Sequence, residues 1–217
     1  MVTNAQSVQN KNQKNGGKKM ENEKNTEHKM LELLVVEDNP KHMEDAKAYF
    51  AELSDSEVVQ VTYASNYSNA QQMMKNKRFD GIISDVFIPF EEVRDGEYID
   101  SDPEDNKARI QNALFHAEVM PLPCDPKSPD FNYQINVVKS MNSWCEGKSL
   151  MPRGMLIAAD AKKAAISIVL CSDAGHHSYE LDPINQYALH QDIPLCDRLK
   201  ENSKDWAQAY KMLKLDE

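Results

Sequence analysis

A chain of 217 residues with 41% hydrophobic side chains suits one domain with additions or two small domains. Its formal charge of −10 gives it little unaided attraction for a phosphate backbone, so nucleic acid is not an expected partner. A membrane partner is not expected either: no apolar run approaches the roughly 20 residues of a spanning helix, and no secretory apolar core stands near the N-terminus.

The four cysteines, Cys124, Cys145, Cys171 and Cys196, are widely spaced and form no CxxC. They read as reduced thiols of a cytoplasmic protein rather than a disulfide framework or a zinc site. Residues 1–29 are rich in Asn, Lys and Gln, with six lysines against three glutamates. Such a segment buries too little apolar surface to offset its ordering entropy and is expected to be a disordered tail.

Composition changes abruptly at Leu31. Leu31-Glu32-Leu33-Leu34-Val35-Val36 reads as a buried strand. Glu37-Asp38-Asn39-Pro40 follows, and Pro40 suits the first turn of a helix over 40–53, with Met43, Ala46, Phe50 and Leu53 at helical spacing. Val58–Tyr63 is strongly β-forming, Asn66–Lys77 is a second helix, and Phe79–Val86 is a third strand. This βαβαβ alternation predicts a parallel sheet wrapped by helices.

The rhythm then breaks. Residues 91–105 hold eight acids and one base. Ser101-Asp102-Pro103-Glu104 reads as a helix start, giving a helix over 103–120. Pro121, Pro123, Pro126 and Pro129 enforce an irregular connector, and 131–145 reads as another helix. The whole of 91–150 is taken as an insertion within a domain spanning 30–217. After it come an Ala-rich helix over 154–165, a strand over 165–172, a loop or helix over 175–190, a weak strand over 193–196 and a closing helix over 204–215. With 91–150 removed, the order is (βα)5, an α/β fold.

In an open parallel sheet, ligands gather at the carboxyl ends of strands. Three ends here carry oxygen donors: Glu37-Asp38 after the first, Asp85 at the third and Ser172 at the fourth. Clustered carboxylates repel unless a cation neutralises them, and Mg2+ suits an all-oxygen set. Such a site suits phosphoryl transfer to Asp85, with the Ser172 hydroxyl donating to a phosphoryl oxygen.

The segments LLVVEDNP (33–40), FDGIISDVFIP (79–89) and IVLCSD (168–173) resemble the receiver domains of two-component response regulators. The resemblance implies a flavodoxin-like doubly wound sheet of order 2-1-3-4-5. It implies a Mg2+ ion held by Glu37, Asp38, Asp85 and the Phe87 carbonyl, phosphorylation of Asp85, and no enzyme activity as such. It implies a histidine kinase or phosphotransfer protein upstream and an unknown protein downstream. The chain would be a stand-alone receiver, since only Asp216 and Glu217 follow the last expected helix. The family's strand-five lysine, usually followed by proline, has no such match; Arg198 and Lys200 are the nearest candidates, and Lys200 is taken for the role. Asp173 stands where the family has a very small residue.

Two other classes remain. One is a degenerate receiver that binds partners without phosphorylation. The other is a metal-dependent phosphohydrolase, for which the second Asp two residues after the nucleophile would be needed; Phe87 occupies that position. His176-His177 lack an HExxH context and read as surface histidines. Glu146-Gly147-Lys148-Ser149 has Asn142 where a P-loop needs its first glycine.

Overall fold

The computed structural model describes residues 30–54, 58–91, 106, 108–112, 139, 151–173, 181–200, 203–213 and 215. The tail over 1–29, the connector over 121–129 and most of the 91–150 insertion lie outside them, as do His176 and His177. Of the two helices expected in the insertion, residues 106, 108–112 and 139 are helical.

In chain order the elements are β1 (Leu31–Val36), α1 (Pro40–Ser54), β2 (Val59–Ala64), α2 (Tyr67–Asn76), β3 (Gly81–Asp85), α3 (Gly154–Lys163), β4 (Ser167–Cys171), α4 (Asp182–His190), β5 (Leu195–Cys196), β6 (Arg198–Lys200), β7 (Ser203–Lys204) and α5 (Trp206–Met212). β1 to β5 form one sheet of order β2-β1-β3-β4-β5, all pairs parallel. The fold is therefore the expected flavodoxin-like α/β arrangement. No helix among the described residues is long and apolar enough to cross a membrane.

The sheet is buried on both faces, which is why β1, β3 and β4 read as nearly continuous apolar runs. Alternate residues serve opposite faces. Leu34, Val36, Ile82, Ile168 and Leu170 face a core built with α2, α3 and α4. Leu33, Val35, Ile83, Val169 and Cys171 face a second core with Ala46 and Phe50 of α1 and Trp206 and Ala209 of α5. Ile110 is fully buried in the first core, so the helical residues around it dock on the α2–α3 side. Arg109 fastens them there, donating to Tyr67 Oη at 2.9 Å and to Asp160 Oδ1 at 2.7 Å.

Local chemistry sets the helix ends. Asn66 caps α2, its side chain accepting from Asn69 N–H at 2.8 Å. Asp205 caps α5 in the same way through Gln208 N–H. The helix expected over 154–165 stops at Lys163, because Ala165 turns left-handed with φ 53°. Ile166 N–H then bonds Ala161 C=O and Ala165 N–H bonds Lys162 C=O, the paired closure of a Schellman motif. α4 ends likewise at Asp192, φ 52°. Both turns shorten the expected strands: β4 begins at Ser167 rather than Ala165, and β5 keeps only Leu195–Cys196. The closing helix expected from Lys204 starts at Trp206, because Arg198–Lys200 and Ser203–Lys204 pair first as the antiparallel strands β6 and β7.

Candidate functional site

Register brings the expected strand ends together. Val36 lies opposite Ser84, so Glu37 and Asp85 leave neighbouring strands side by side. Asp85 lies opposite Cys171, which puts Ser172 one residue beyond it on the other flank. Carboxylate oxygens of Glu37, Asp38 and Asp85 all fall within 4.8 Å of one another. Ser172 is buried at the same edge. Phe87 sits in the turn after β3, half-buried against the α2–α3 core.

Each acid is held differently. Glu37 is fully buried; its Oε1 accepts from Asn39 N–H at 3.0 Å and its Oε2 from Lys204 Nζ. Asp85 Oδ1 accepts from Val86 N–H at 2.6 Å, while Oδ2 lies 2.8 Å from Lys204 Nζ. Asp38 is half-buried at the edge.

Lys204 was the residue sequence reasoning missed. Lys200, the sequence candidate, is exposed on β6, where its N–H donates to Ser203 Oγ. Arg198 is exposed on the same strand. Neither belongs to the acidic cluster. The buried lysine beside the acids comes from β7, after the β6–β7 ribbon rather than from the end of β5, and is followed by Asp205. A usable signal was its place directly before the N-cap of the last helix, where Trp206 packs its ring 5.9 Å from Nζ.

The electrostatics describe an excess of negative charge. Burial, then the Asp85 charge, push Glu37 up to about 8, against the pull of Lys204. Asp38 is pushed up to about 6, by burial first and Asp85 next. Burial also raises Asp85, with Lys204 and the Val86 N–H opposing. For Lys204, burial pulls the ammonium down, but Asp85 and Glu37 outweigh it and hold it above its ordinary value. When all three acids are ionised, the one lysine among the described residues at the cluster leaves two negative charges uncompensated. An all-oxygen cluster of that charge fits a hard divalent cation such as Mg2+.

The backbone after Asp85 is clamped from two sides. Val86 C=O accepts from Gly154 N–H, Ile88 C=O from the buried Arg153 Nη1, Pro89 C=O from Tyr67 N–H and Phe90 C=O from Ser68 N–H, all at 2.9 Å. A Cβ at Gly154 would stand 2.2 Å from Asp85 C=O, so only glycine allows α3 to begin this close. Neither Gly154 nor Arg153 was expected to serve the site, because 91–150 separates them in sequence from the strand they support.

No family model matches the chain, and no curated protein matches it. A solved structure that aligns with it is RcsB from Salmonella enterica serovar Typhimurium bound to promoter P1flhDC in the presence of phosphomimetic BeF3−, at 10% identity and a TM-score of 0.27, covering 86% of this chain and 99% of that one. The expectation of no nucleic-acid partner is corrected here: that protein is bound to promoter DNA. No partner is assigned to this chain in its place.

Proposed function

We propose that the chain is a receiver-like signalling protein that accepts a phosphoryl group on Asp85 in a Mg2+-dependent manner. The observation that carries this reading is the contact of one buried lysine, Lys204, with both Glu37 and Asp85, inside a cluster whose carboxylates lie within 4.8 Å of one another. That arrangement costs several kcal/mol in desolvation and contributes little a hydrophobic cluster would not. It suits an anion acceptor that must be held, charged and in place, beside a cation.

The chemistry is a displacement at phosphorus. An Asp85 carboxylate oxygen attacks the phosphorus of an acyl or amidophosphate donor, the bond from phosphorus to the donor's leaving atom breaks, and the leaving group departs with its electron pair. Asp38 and Asp85, with Glu37 behind them, would hold Mg2+, which offsets charge on the phosphoryl oxygens when bound. Lys204 keeps an ammonium against Asp85, and the Ser172 hydroxyl would donate to a phosphoryl oxygen. The Val86 N–H on Oδ1 fixes the carboxylate's rotation.

The test is incubation with acetyl phosphate and Mg2+, or with beryllofluoride and Mg2+, on the wild type and Asp85→Asn. A phosphoryl mass increment and a spectral response, both lost in Asp85→Asn, are expected. Absence of both from the wild type overturns the reading.

A further inference from the structure

Asp173 follows Ser172 directly and is a fourth acid at the carboxyl edge. Its charge reaches the cluster, adding to the upward push on both Asp38 and Asp85. Its carboxylate, however, is engaged elsewhere: Oδ2 lies 3.3 Å from Nε2 of His42 on α1. The Asp173 side chain is 44% exposed and that of His42 only 3%.

An ionised carboxylate can only accept, so the proton of this contact resides on His42 Nε2. The other ring nitrogen, Nδ1, is buried and has no hydrogen-bond partner among the described residues. An orphaned polar nitrogen in a core is a cost to folding. An apolar side chain at this position, on the buried face of α1 beside Ala46 and Phe50, would avoid it. His42 is therefore ill suited to stabilising the core. What its position does provide is a rigid donor, held by the packing of α1 on the sheet, aimed at one carboxylate.

We propose that His42 is a positioning residue that holds the Asp173 carboxylate aside from the phosphoryl-accepting edge, so that an anionic phosphoryl group can reach Asp85. The inference rests on the receiver reading above. A phosphoryl group brings close to two negative charges. Asp173, released beside Ser172, would meet them at the half-exposed edge, where like charges repel. The same release would leave a divalent cation bound as well as before, or better, since it adds a carboxylate near the cluster. Loss of anion binding without loss of cation binding is thus the signature of this device, and a merely structural His42 would not produce it.

The experiment titrates beryllofluoride at saturating Mg2+, and Mg2+ alone by calorimetry, into the full chain. In His42→Leu, beryllofluoride affinity is expected to fall about tenfold, a loss of the size one unfavourable charge contact produces, with Mg2+ affinity kept or raised. Adding Asp173→Ala to His42→Leu is expected to restore the wild-type value to within about twofold. Wild-type affinity in His42→Leu, or a double variant as weak as His42→Leu, overturns the inference. Asp173→Ala alone covers the case in which His42→Leu does not fold: binding at least as tight as wild type is expected, and a clear loss would mean that Asp173 itself contacts the ligand, which also overturns it. A wild-type chain that binds no beryllofluoride overturns the receiver reading, and this inference with it.

Discussion

Lys204 Nζ lies 2.8 Å from Asp85 Oδ2 and also pairs with Glu37, so a single buried cation from β7 joins the ends of β1 and β3. Removing it leaves two buried carboxylates with no counter-charge. Lys204→Met is expected to lower unfolding stability by about 3–5 kcal/mol at neutral pH, as broken buried ion pairs do. Urea denaturation checks this, and added Mg2+ should recover part of the loss. A change under about 1 kcal/mol would show that the pair is not formed in solution.

The raised acids give stability a sign against pH. Asp38 moves from an ordinary 3.8 up to about 6, and Glu37 from 4.5 up to about 8. Between the unfolded and folded values the folded state binds more protons, so stability falls as pH rises through that window. The loss should start near pH 4 and be complete for Asp38 a little above pH 6, with Glu37 and Asp85 extending it as a pair sharing Lys204. Mg2+ competes with those protons. Thermal unfolding with and without Mg2+ should therefore show a larger stabilisation at pH 8 than at pH 5.5; an equal or opposite effect would contradict the cluster's electrostatics.

Gly154 tests the clamp on the backbone after Asp85. Gly154→Ala drives a Cβ into Asp85 C=O, at 2.2 Å before any relaxation. The backbone must shift, at a cost of about 1–3 kcal/mol or more. The displaced atoms belong to Asp85, the proposed acceptor, so the beryllofluoride response should weaken together with the melting temperature. A fully stable variant would contradict the packing of α3 against β3.

Ala165 offers the opposite sign. Its left-handed φ of 53° costs an L-residue roughly 1 kcal/mol that glycine avoids. Ala165→Gly, at the closing turn of α3, should stabilise the chain by about that amount, read as a shift in the urea midpoint with unchanged slope.

The strand ends were legible in the sequence because each acid directly follows an apolar run: Val35-Val36 before Glu37-Asp38, and Ile82-Ile83-Ser84 before Asp85. The lysine was not legible. Its identification depended on where the fifth strand ends, and β5 is two residues long, with a proline just before it and an exposed ribbon just after. A short ribbon of charged residues carries no alternation of apolar side chains, so Lys200 and Lys204 look alike in sequence and differ only in burial. Asp173 was visible as a departure from the receiver pattern, whereas its partner was not: His42 sits among charged residues of α1, and nothing local marks it as buried. Gly154 and Arg153 reach the site across the insertion, and contacts of that sequence separation leave no periodic trace.

The most direct measurement is to locate the phosphoryl group. After acetyl phosphate and Mg2+, borohydride converts an aspartyl phosphate to homoserine, which peptide mapping places in the chain. Homoserine at position 85, formed only with the divalent cation, is the predicted result. Label at another residue, or an unmodified Asp85 in folded protein, would contradict the account.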